Sequence, residues 1–328
     1  MSSRRRFLQH VSTAGLVLSG NSLFGRLLSA QSPATADQTA RIYMNSRRTI
    51  APLDRNLFGS FLEHLGRAIY GGIYDPGSAL ANADGFRRDV IDEVRKLGVP
   101  IIRYPGGNFV SGYNWLDGVG PKQDRPRVLD KAWNSINTNQ FGTNEYMAWC
   151  KAVGALPLMG LNLGTGTAEE AAALVEYCNV ERGTKWSELR RKHGYAQPYN
   201  VKQWCLGNEM DGRWQIGQMT AAQYGMKAQD TARQMRYVDR SLALIACGSS
   251  GPTMPTYLEW DRQVLELCYD YVDGLSLHRY FENTAAETGS DSRKFVAMNL
   301  FMDRQIGESL AVCDLVDSGD RIGRRFDQ

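Results

Sequence analysis

The feature that most constrains this chain is a regular alternation of apolar, strand-like segments with amphipathic, helix-like segments. The strand-like segments lie near Leu57, Val99, Leu156, Val201, Leu242 and Gly274. Repetition of strand and helix indicates parallel strands joined by right-handed crossovers. The sequence therefore predicts an α/β protein built on one parallel sheet with about six βα units.

Polar residues cluster just after these strands. They are Glu63, Arg103, Asn108, Asn208, Glu209, His278 and Tyr280. A site at the C-terminal ends of the strands is typical of a (β/α)8 TIM barrel. A doubly wound open sheet is the alternative, but no Gly-rich dinucleotide motif or P-loop follows the first strand.

Six βα units do not close an eight-stranded barrel. The final predicted helix ends near Val316, and the segment Asp317–Gln328 is polar, with no apolar run for a seventh strand. The predicted fold is therefore an incomplete (β/α)8 barrel over residues 41–328. Such a sheet leaves two strand edges open.

Several segments have more local predictions. Tyr43 lies in a candidate edge strand, Arg41–Asn45, and Asn108–Asn139 reads as one long irregular segment. Helices are predicted at 86–98, 143–153, 168–179, 221–238, 257–271 and 296–316. A charged patch, Glu188–His193, is expected to lie on an insertion.

The N-terminal residues indicate export. Ser3–Gln9 resembles a twin-arginine motif, Val11–Leu28 is weakly apolar, and Leu28–Ala30 is a plausible cleavage site. Residues 1–30 are thus predicted to be a signal peptide and residues 31–40 a linker. The expected location is periplasmic or secreted, with no stable membrane span.

Composition excludes several classes of function. The net charge of +3 becomes −1 without residues 1–30, which hold four Arg and no acidic residue. The chain therefore has no excess positive charge that would favour a nucleic-acid partner. Its six Cys are scattered without metal-type spacing, so neither a disulfide nor a metal site is expected.

The segment Trp204–Gly212 carries the strongest local signal for chemistry. An apolar strand ends abruptly in Gly207-Asn208-Glu209. Glu209 is a candidate general acid/base, with Asn208 binding a substrate hydroxyl beside it. An ordinary Asn-Glu turn after a strand is the alternative.

Longer motifs resemble glycoside hydrolase family 51, the α-L-arabinofuranosidases. They are Gly59–Gly66, Tyr70–Gly77, Arg103–Trp115, Thr138–Glu145, Trp204–Gly212 and Leu275–Tyr280. They occur in the order in which the family has them. The resemblance implies a retaining exo-acting enzyme that releases arabinofuranosyl residues from hemicellulose or pectin oligosaccharides. It implies no cofactor and no metal.

The resemblance also implies residue roles. Glu209 matches the family's acid/base, Asn208 the residue that binds the sugar 2-hydroxyl, and Tyr280 the tyrosine that positions the nucleophile. Glu63 and Asn108 match residues that hold the arabinofuranosyl ring.

Two further residues match supports of the family's active site. They are Arg103 and His278.

The chain departs from the family at its end. The family's nucleophile is a Glu after the seventh strand, and a β-sandwich domain follows the barrel. Neither has a counterpart here, so the chain is expected to be a fragment or a frame-shifted product with impaired turnover. An endo-β-glucanase, a β-xylosidase and an inactive sugar-binding fragment are the alternatives, and a homo-oligomer is expected only at full length.

A few residues stay ambiguous. Trp115 and Trp133 are candidates either for stacking on a sugar or for packing, and His64 is equally a structural or a functional candidate. Glu282 and Glu308 are expected on the surface. The basic run Arg190–Lys192 is expected to be a solvated face.

Overall fold

The structure, a computed structural model, describes residues 43–49 and 51–326, with side chains up to Ser318. Two compact units, Met1–Leu53 and Asp54–Gln328, make up the chain. In the first unit the predicted edge strand is wrong for residues 43–45, which are irregular. Tyr43 and Met44 are 86% and 91% exposed, so this short apolar pattern packs on nothing that would hold a strand. Arg41, Ile42, the predicted signal and the predicted linker lie outside the described residues.

The second unit is organised around a curled sheet of six parallel strands. In their order across the sheet, they are β1 Ser60–Phe61, β2 Ile101–Tyr104, β5 Leu156–Gly160, β6 Gln203–Leu206, β7 Ala243–Cys247 and β8 Gly274–Ser276. Two more strands, β3 Val128–Asp130 and β4 Ser135–Asn137, pair as an antiparallel hairpin. The parallel sheet is half of a barrel, and this confirms the predicted fold class.

Helices follow the parallel strands and cover the sheet. They are α1 Arg88–Leu97, α2 Thr143–Val153, α3 Ala168–Asn179, α4 Lys185–Lys192, α5 Ala221–Val238, α6 Glu259–Cys268, α7 Ser292–Ala297 and α8 Asn299–Phe326. The side chains of Thr167 and Thr220 form capping boxes that start α3 and α5. Gly154 ends α2 in the left-handed conformation, at a φ of 80°.

Buried tyrosines tie the helices to the sheet. The Tyr146 hydroxyl on α2 donates to the Ile102 carbonyl at 2.5 Å and accepts from the Leu158 amide at 3.1 Å. Tyr224 on α5 donates to the Leu206 carbonyl at 2.6 Å, next to the end of β6. Each tyrosine is fully buried, so these bonds fix strand positions in a dry interior.

Three local predictions need correction. The insertion around Glu188–His193 forms α4, and its Arg190 is completely buried rather than solvated. The guanidinium of Arg190 donates to four main-chain carbonyls within 3.0 Å, of Tyr177, Val180, Glu181 and Tyr195. Carbonyl dipoles thus replace water around this charge.

The other two corrections concern the irregular segment and the C-terminus. The segment 108–139 contains the β3–β4 hairpin and several short 3-10 turns. The last helix begins at Asn299 and runs to Phe326, ten residues beyond its predicted end at Val316. Among the described residues, no helix has the length and apolarity needed to cross a membrane.

Candidate active site

One cavity at the C-terminal ends of the parallel strands collects every site residue named from the sequence. Its volume is about 870 Å³, and its lining includes Glu63, Arg103, Asn108, Asn208, Glu209, His278 and Tyr280. These residues come from four different strand ends, so the curl of the sheet brings them together. An opening of this size accommodates a small sugar.

The turn after β6 carries Glu209 into the cavity. Gly207 has a φ of 94°, which a residue without a Cβ adopts freely, and Glu209 itself has a φ of 46°. A left-handed non-glycine residue is strained and persists only where its surroundings hold it. The side chain of Glu209 is held from two sides, and the residue as a whole is only 8% exposed.

Two neighbours hold the Glu209 carboxyl group. Its Oε1 lies 2.7 Å from Nδ1 of His278, and its Oε2 accepts a 2.8 Å hydrogen bond from Nε1 of Trp214. Burial raises the pKa of Glu209, but the interactions with His278, Trp214 and Arg103 together lower it below its ordinary value. The described groups around this carboxyl group are hydrogen-bond donors and the Arg103 guanidinium, and these favour its ionised form.

Asn208 is oriented by Arg103 from β2. The Arg103 guanidinium donates to Asn208 Oδ1 at 2.8 Å and lies 5.3 Å from the ring centre of Phe61. Since the guanidinium only donates, the amide oxygen of Asn208 must face it. The NH2 group of Asn208 is therefore left for another acceptor.

Glu63 is fixed at the end of β1. Its Oε1 accepts from the Phe109 amide and from Nε1 of Trp133, both at 3.0 Å. Gly106 follows β2 with a φ of 142°, and a Cβ there would lie 2.3 Å from Cγ of Glu63. A glycine is thus needed for Glu63 to occupy this place.

Asn108 and Tyr280 are placed in the cavity wall with fewer constraints. Asn108 begins a 3-10 turn after β2. Tyr280 is 84% exposed, and desolvation followed by the carboxylates of Glu209 and Glu63 raises its pKa. Tyr280 is therefore the least fixed of the predicted site residues.

Sequence reasoning missed Trp214 and the contact that anchors its loop. Asp211 is buried and accepts from the Ser250 amide at 3.0 Å and from the Ser250 hydroxyl, which joins the turns after β6 and β7. The only signal for Trp214 was an aromatic residue five positions after Glu209.

The two tryptophans with ambiguous roles, Trp115 and Trp133, lie in different surroundings. Trp133 lines the cavity, whereas Trp115 is 7% exposed and its Nε1 donates to the Glu170 carbonyl at 3.2 Å. The surroundings of His64 also indicate a structural role. It stacks on Phe109 at 4.3 Å between ring centres, and burial lowers its pKa to about 3.

No group of three or more His, Cys, Asp or Glu side chains suited to a metal occurs within the described ranges 43–49 and 51–326. Five cysteines are buried as free thiols, and Cys313 is half-buried.

Comparison with known proteins gives the family. The model of the α-L-arabinofuranosidase 1 domain matches residues 93–295. An intracellular exo-α-(1→5)-L-arabinofuranosidase of Acetivibrio thermocellus is 50% identical over 282 residues, which are 86% of this chain and 55% of that protein. A protein of the same description from Bacillus subtilis is also 50% identical, over 86% of this chain and 56% of its own length. The chain spans about half the length of the curated relatives it matches.

Solved structures agree with the sequence relatives. A family 51 α-L-arabinofuranosidase from Bifidobacterium longum superposes with a TM-score of 0.81 at 39% identity, covering 85% of this chain and 56% of the other. An arabinose complex of the α-L-arabinofuranosidase from Thermotoga maritima gives 0.77 at 40% identity, covering 84% and 54%.

The relatives bear on two expectations from the sequence, the location of the protein and its family. The predicted periplasmic or secreted location is wrong, because the relatives from A. thermocellus and B. subtilis are named intracellular. The motif behind that prediction, Ser3–Gln9, lies outside the described residues, so no structural feature supported it. The resemblance is confirmed by the domain match, the identity and the shared fold, and the chain belongs to glycoside hydrolase family 51, the α-L-arabinofuranosidase family.

Proposed function

We propose that this chain supplies the acid/base half of the active site of a retaining, exo-acting α-L-arabinofuranosidase. The observation that carries the proposal is the single cavity in which Glu209, Asn208 and Glu63 meet with their partners already in place. The exo mode rests on the names of the relatives, which describe exo-acting enzymes. The substrate class is terminal arabinofuranosyl groups on hemicellulose or pectin oligosaccharides.

Glu209 is suited to move a proton in this cavity. When Glu209 is ionised, the N–H of His278 and the indole N–H of Trp214 satisfy its two oxygens. When Glu209 is protonated, its O–H can donate a hydrogen bond across the same 2.7 Å contact to Nδ1 of the other His278 tautomer. Both charge states are therefore accommodated, as an acid that later acts as a base requires.

Asn208 and Glu63 offer complementary contacts to sugar hydroxyls. The NH2 group of Asn208 is free to donate, because Arg103 holds the amide oxygen. Both protein bonds to Glu63 use Oε1, which leaves Oε2 to accept from a hydroxyl. A donor and an acceptor that come from the ends of two different strands fix the orientation of a small ring. The Trp133 ring, held by Glu63, provides an apolar face beside them.

A second carboxylate is needed for retention, about 5–5.5 Å from the acid/base. Among the described residues, the carboxylates lining the cavity are Glu63, Glu209 and Glu287. Glu63 is engaged by Phe109 and Trp133, and Glu287 follows Tyr280 on an exposed loop. We therefore propose that a polypeptide of these 328 residues alone has little or no turnover.

Sugar binding without hydrolysis is the second candidate function for the 328-residue polypeptide. It is favoured by the lowered pKa of Glu209, because its surroundings favour the ionised carboxylate over the protonated acid that donates to a leaving group. Calorimetric titration with L-arabinose separates this candidate from a cavity that binds nothing.

A substrate panel tests the proposed activity against other activities. The chain, extended by the C-terminal part of the B. subtilis relative, is assayed on nitrophenyl α-L-arabinofuranoside, β-xyloside and β-glucan. The proposal predicts preference for the arabinofuranoside. Preference for xyloside or glucan selects a β-xylosidase or an endo-β-glucanase instead.

A further inference from the structure

A second cleft lies on the other side of the fold from the active-site cavity. It is formed by Arg233, Arg236, Tyr237, Arg240 and Tyr271, and its volume is about 360 Å³. Arg233, Arg236 and Tyr237 lie near the end of α5, and Arg240 follows shortly after the helix. Because α5 runs back from the C-terminal end of β6 to the start of β7, this cleft lies near the N-terminal ends of the strands.

The spacing of the α5 residues explains the cleft. Positions 233, 236 and 237 of α5 recur at three and four residues, so their side chains share one helical face, and Arg240 follows just after the helix ends. The opposite face holds Thr231, Ala232 and Met235, which are fully buried. The outer face of α5 thus presents two arginines and a tyrosine, and Arg240 lines the same cleft from just beyond the helix end.

The arginines differ in how they are held. Arg236 donates to Asp273 at 2.7 Å, and its Nε contacts the Tyr271 carbonyl at 3.4 Å. Arg233 lies 6.0 Å from the ring centre of Tyr271. Arg240 is exposed and makes no salt bridge within the part of the chain that the structure describes. The cluster therefore has more positive than negative charge available to a ligand.

The aromatic residues give the cleft a second property. Tyr237 is 78% exposed, and Tyr271 is half-buried with the Arg233 guanidinium near its ring. Exposed aromatic faces pack on the apolar faces of sugar rings, whereas guanidinium forks match carboxylates in geometry. The volume falls in the range of roughly 300–1,000 Å³ that is typical of small-molecule sites.

We propose that this cleft binds a uronic-acid residue of an oligosaccharide, with its carboxylate against Arg233 and Arg240 and its ring against Tyr237. The inference rests on the proposed function, since an enzyme that acts on hemicellulose or pectin fragments meets uronates in those fragments. The cleft then holds the acidic part of such a chain away from the active-site cavity. No bond is made or broken at this site.

Calorimetric titration of the 328-residue chain with trigalacturonate tests the proposal. The Arg233→Gln/Arg240→Gln variant is expected to weaken binding about tenfold or more, because it removes charge-assisted hydrogen bonds. Tyr237→Ala is expected to weaken binding less, through lost stacking. Arg182→Gln is the matched control, because Arg182 is a 73% exposed arginine outside this cleft and should leave binding unchanged.

Two ligands separate uronate binding from general attraction of anions. The methyl ester of trigalacturonate keeps the sugar rings but loses the charge, so it should bind much more weakly. Inorganic phosphate at the same concentration should not displace trigalacturonate. Absence of binding, equal binding of the ester, displacement by phosphate, or unchanged binding in the double variant would each overturn the proposal.

A Glu209→Gln variant keeps this test independent of the proposed activity. Glu209 lies in the other cavity, so the variant should bind trigalacturonate as tightly as the unaltered chain. Absence of arabinofuranoside hydrolysis in the unaltered extended chain, with intact trigalacturonate binding, contradicts only the proposed activity. Intact hydrolysis in the extended chain, together with no binding of trigalacturonate, contradicts only the proposal that the cleft binds a uronate.

Discussion

The Nδ1 atom of His278 lies 2.7 Å from Oε1 of Glu209, although their strands, β8 and β6, are not neighbours in the sheet. β7 lies between them, so the contact bridges two strand ends across a third. It forms because the curl of the half-barrel turns the strand ends toward one cavity. The charge state of the proposed acid/base therefore depends on a residue that is 69 positions away in sequence.

Replacing His278 should raise the pKa of Glu209. In His278→Ala, the hydrogen bond and the electrostatic interaction that oppose the effect of burial are lost, while the desolvation that raises the pKa remains. The pKa is measured by NMR titration of carboxyl-labelled glutamate, assigned with Glu209→Gln. His193→Ala is the control, since His193 lies near Tyr177 and not in the cavity. An unchanged or lower pKa of Glu209 in His278→Ala would refute this account.

Gly106→Ala should damage the site through a steric clash with Glu63. The new Cβ would lie 2.3 Å from Cγ of Glu63, so either the side chain or the backbone must move. Gly183 is a matched control, because its φ is 87° and no atom lies within 4 Å of an added Cβ. Gly183→Ala is expected to cost about 1 kcal/mol from backbone strain alone.

Urea unfolding and arabinose titration separate these two glycines. Gly106→Ala should lose more stability than Gly183→Ala and should also lose arabinose binding, whereas Gly183→Ala should keep it. Equal effects of the two substitutions would show that the Glu63 contact is unimportant.

His64 should make the fold sensitive to mild acid. Its pKa is about 3 in the folded chain because of burial, against about 6.5 when unfolded. The unfolded state therefore takes up the proton first, and stability is full above about pH 6.5 and falls between pH 6.5 and 3. Between pH 6.5 and 5 this amounts to about 2 kcal/mol. In His64→Phe the loss from pH 7 to pH 5, measured by urea unfolding, should be correspondingly smaller; the same loss in both proteins would be contrary evidence.

The buried pair of Arg125 and Glu145 should be costly to break. Arg125 makes two hydrogen bonds to Glu145, at 2.9 and 3.0 Å, and Glu145 also caps α2 by accepting from the Gly142 amide. Arg125→Met leaves a buried carboxylate without its main partner, and losses of about 3–5 kcal/mol are typical of such changes. Lys96→Met removes an exposed partner of Glu93 and should cause no measurable change. Similar urea midpoints for both variants would contradict the expectation for Arg125.

The sequence allowed the helices with strong end signals to be predicted to the residue. α3 and α5 start at capping boxes on Thr167 and Thr220, and α2 ends at left-handed Gly154. Such signals are local and leave little freedom in the helix bounds. The positions of the site residues followed equally from one rule, that parallel strands end at the same edge of a sheet.

Features that depend on distant partners could not be predicted in this way. Arg190 was predicted to be a solvated charge, because nothing nearby in sequence indicates that carbonyls at the end of α3 and in the segments on either side of α4 surround it. The lowered pKa of Glu209 depends on His278 and Trp214, whose contacts arise only in the folded chain. The location predicted from Ser3–Gln9 was wrong, because the relatives from A. thermocellus and B. subtilis are named intracellular.

The acid/base role of Glu209 is tested most directly by the dependence of its variants on the leaving group. The chain extended with the C-terminal part of the B. subtilis relative is compared with its Glu209→Gln variant on an α-(1→5)-arabinobiose and on dinitrophenyl α-L-arabinofuranoside. A sugar leaving group needs protonation, whereas dinitrophenolate leaves without it. The account predicts that kcat/KM on the disaccharide falls roughly 10²–10⁴-fold in the variant, with little change on the aryl substrate. Equal losses on both substrates, or full activity without Glu209, would contradict it.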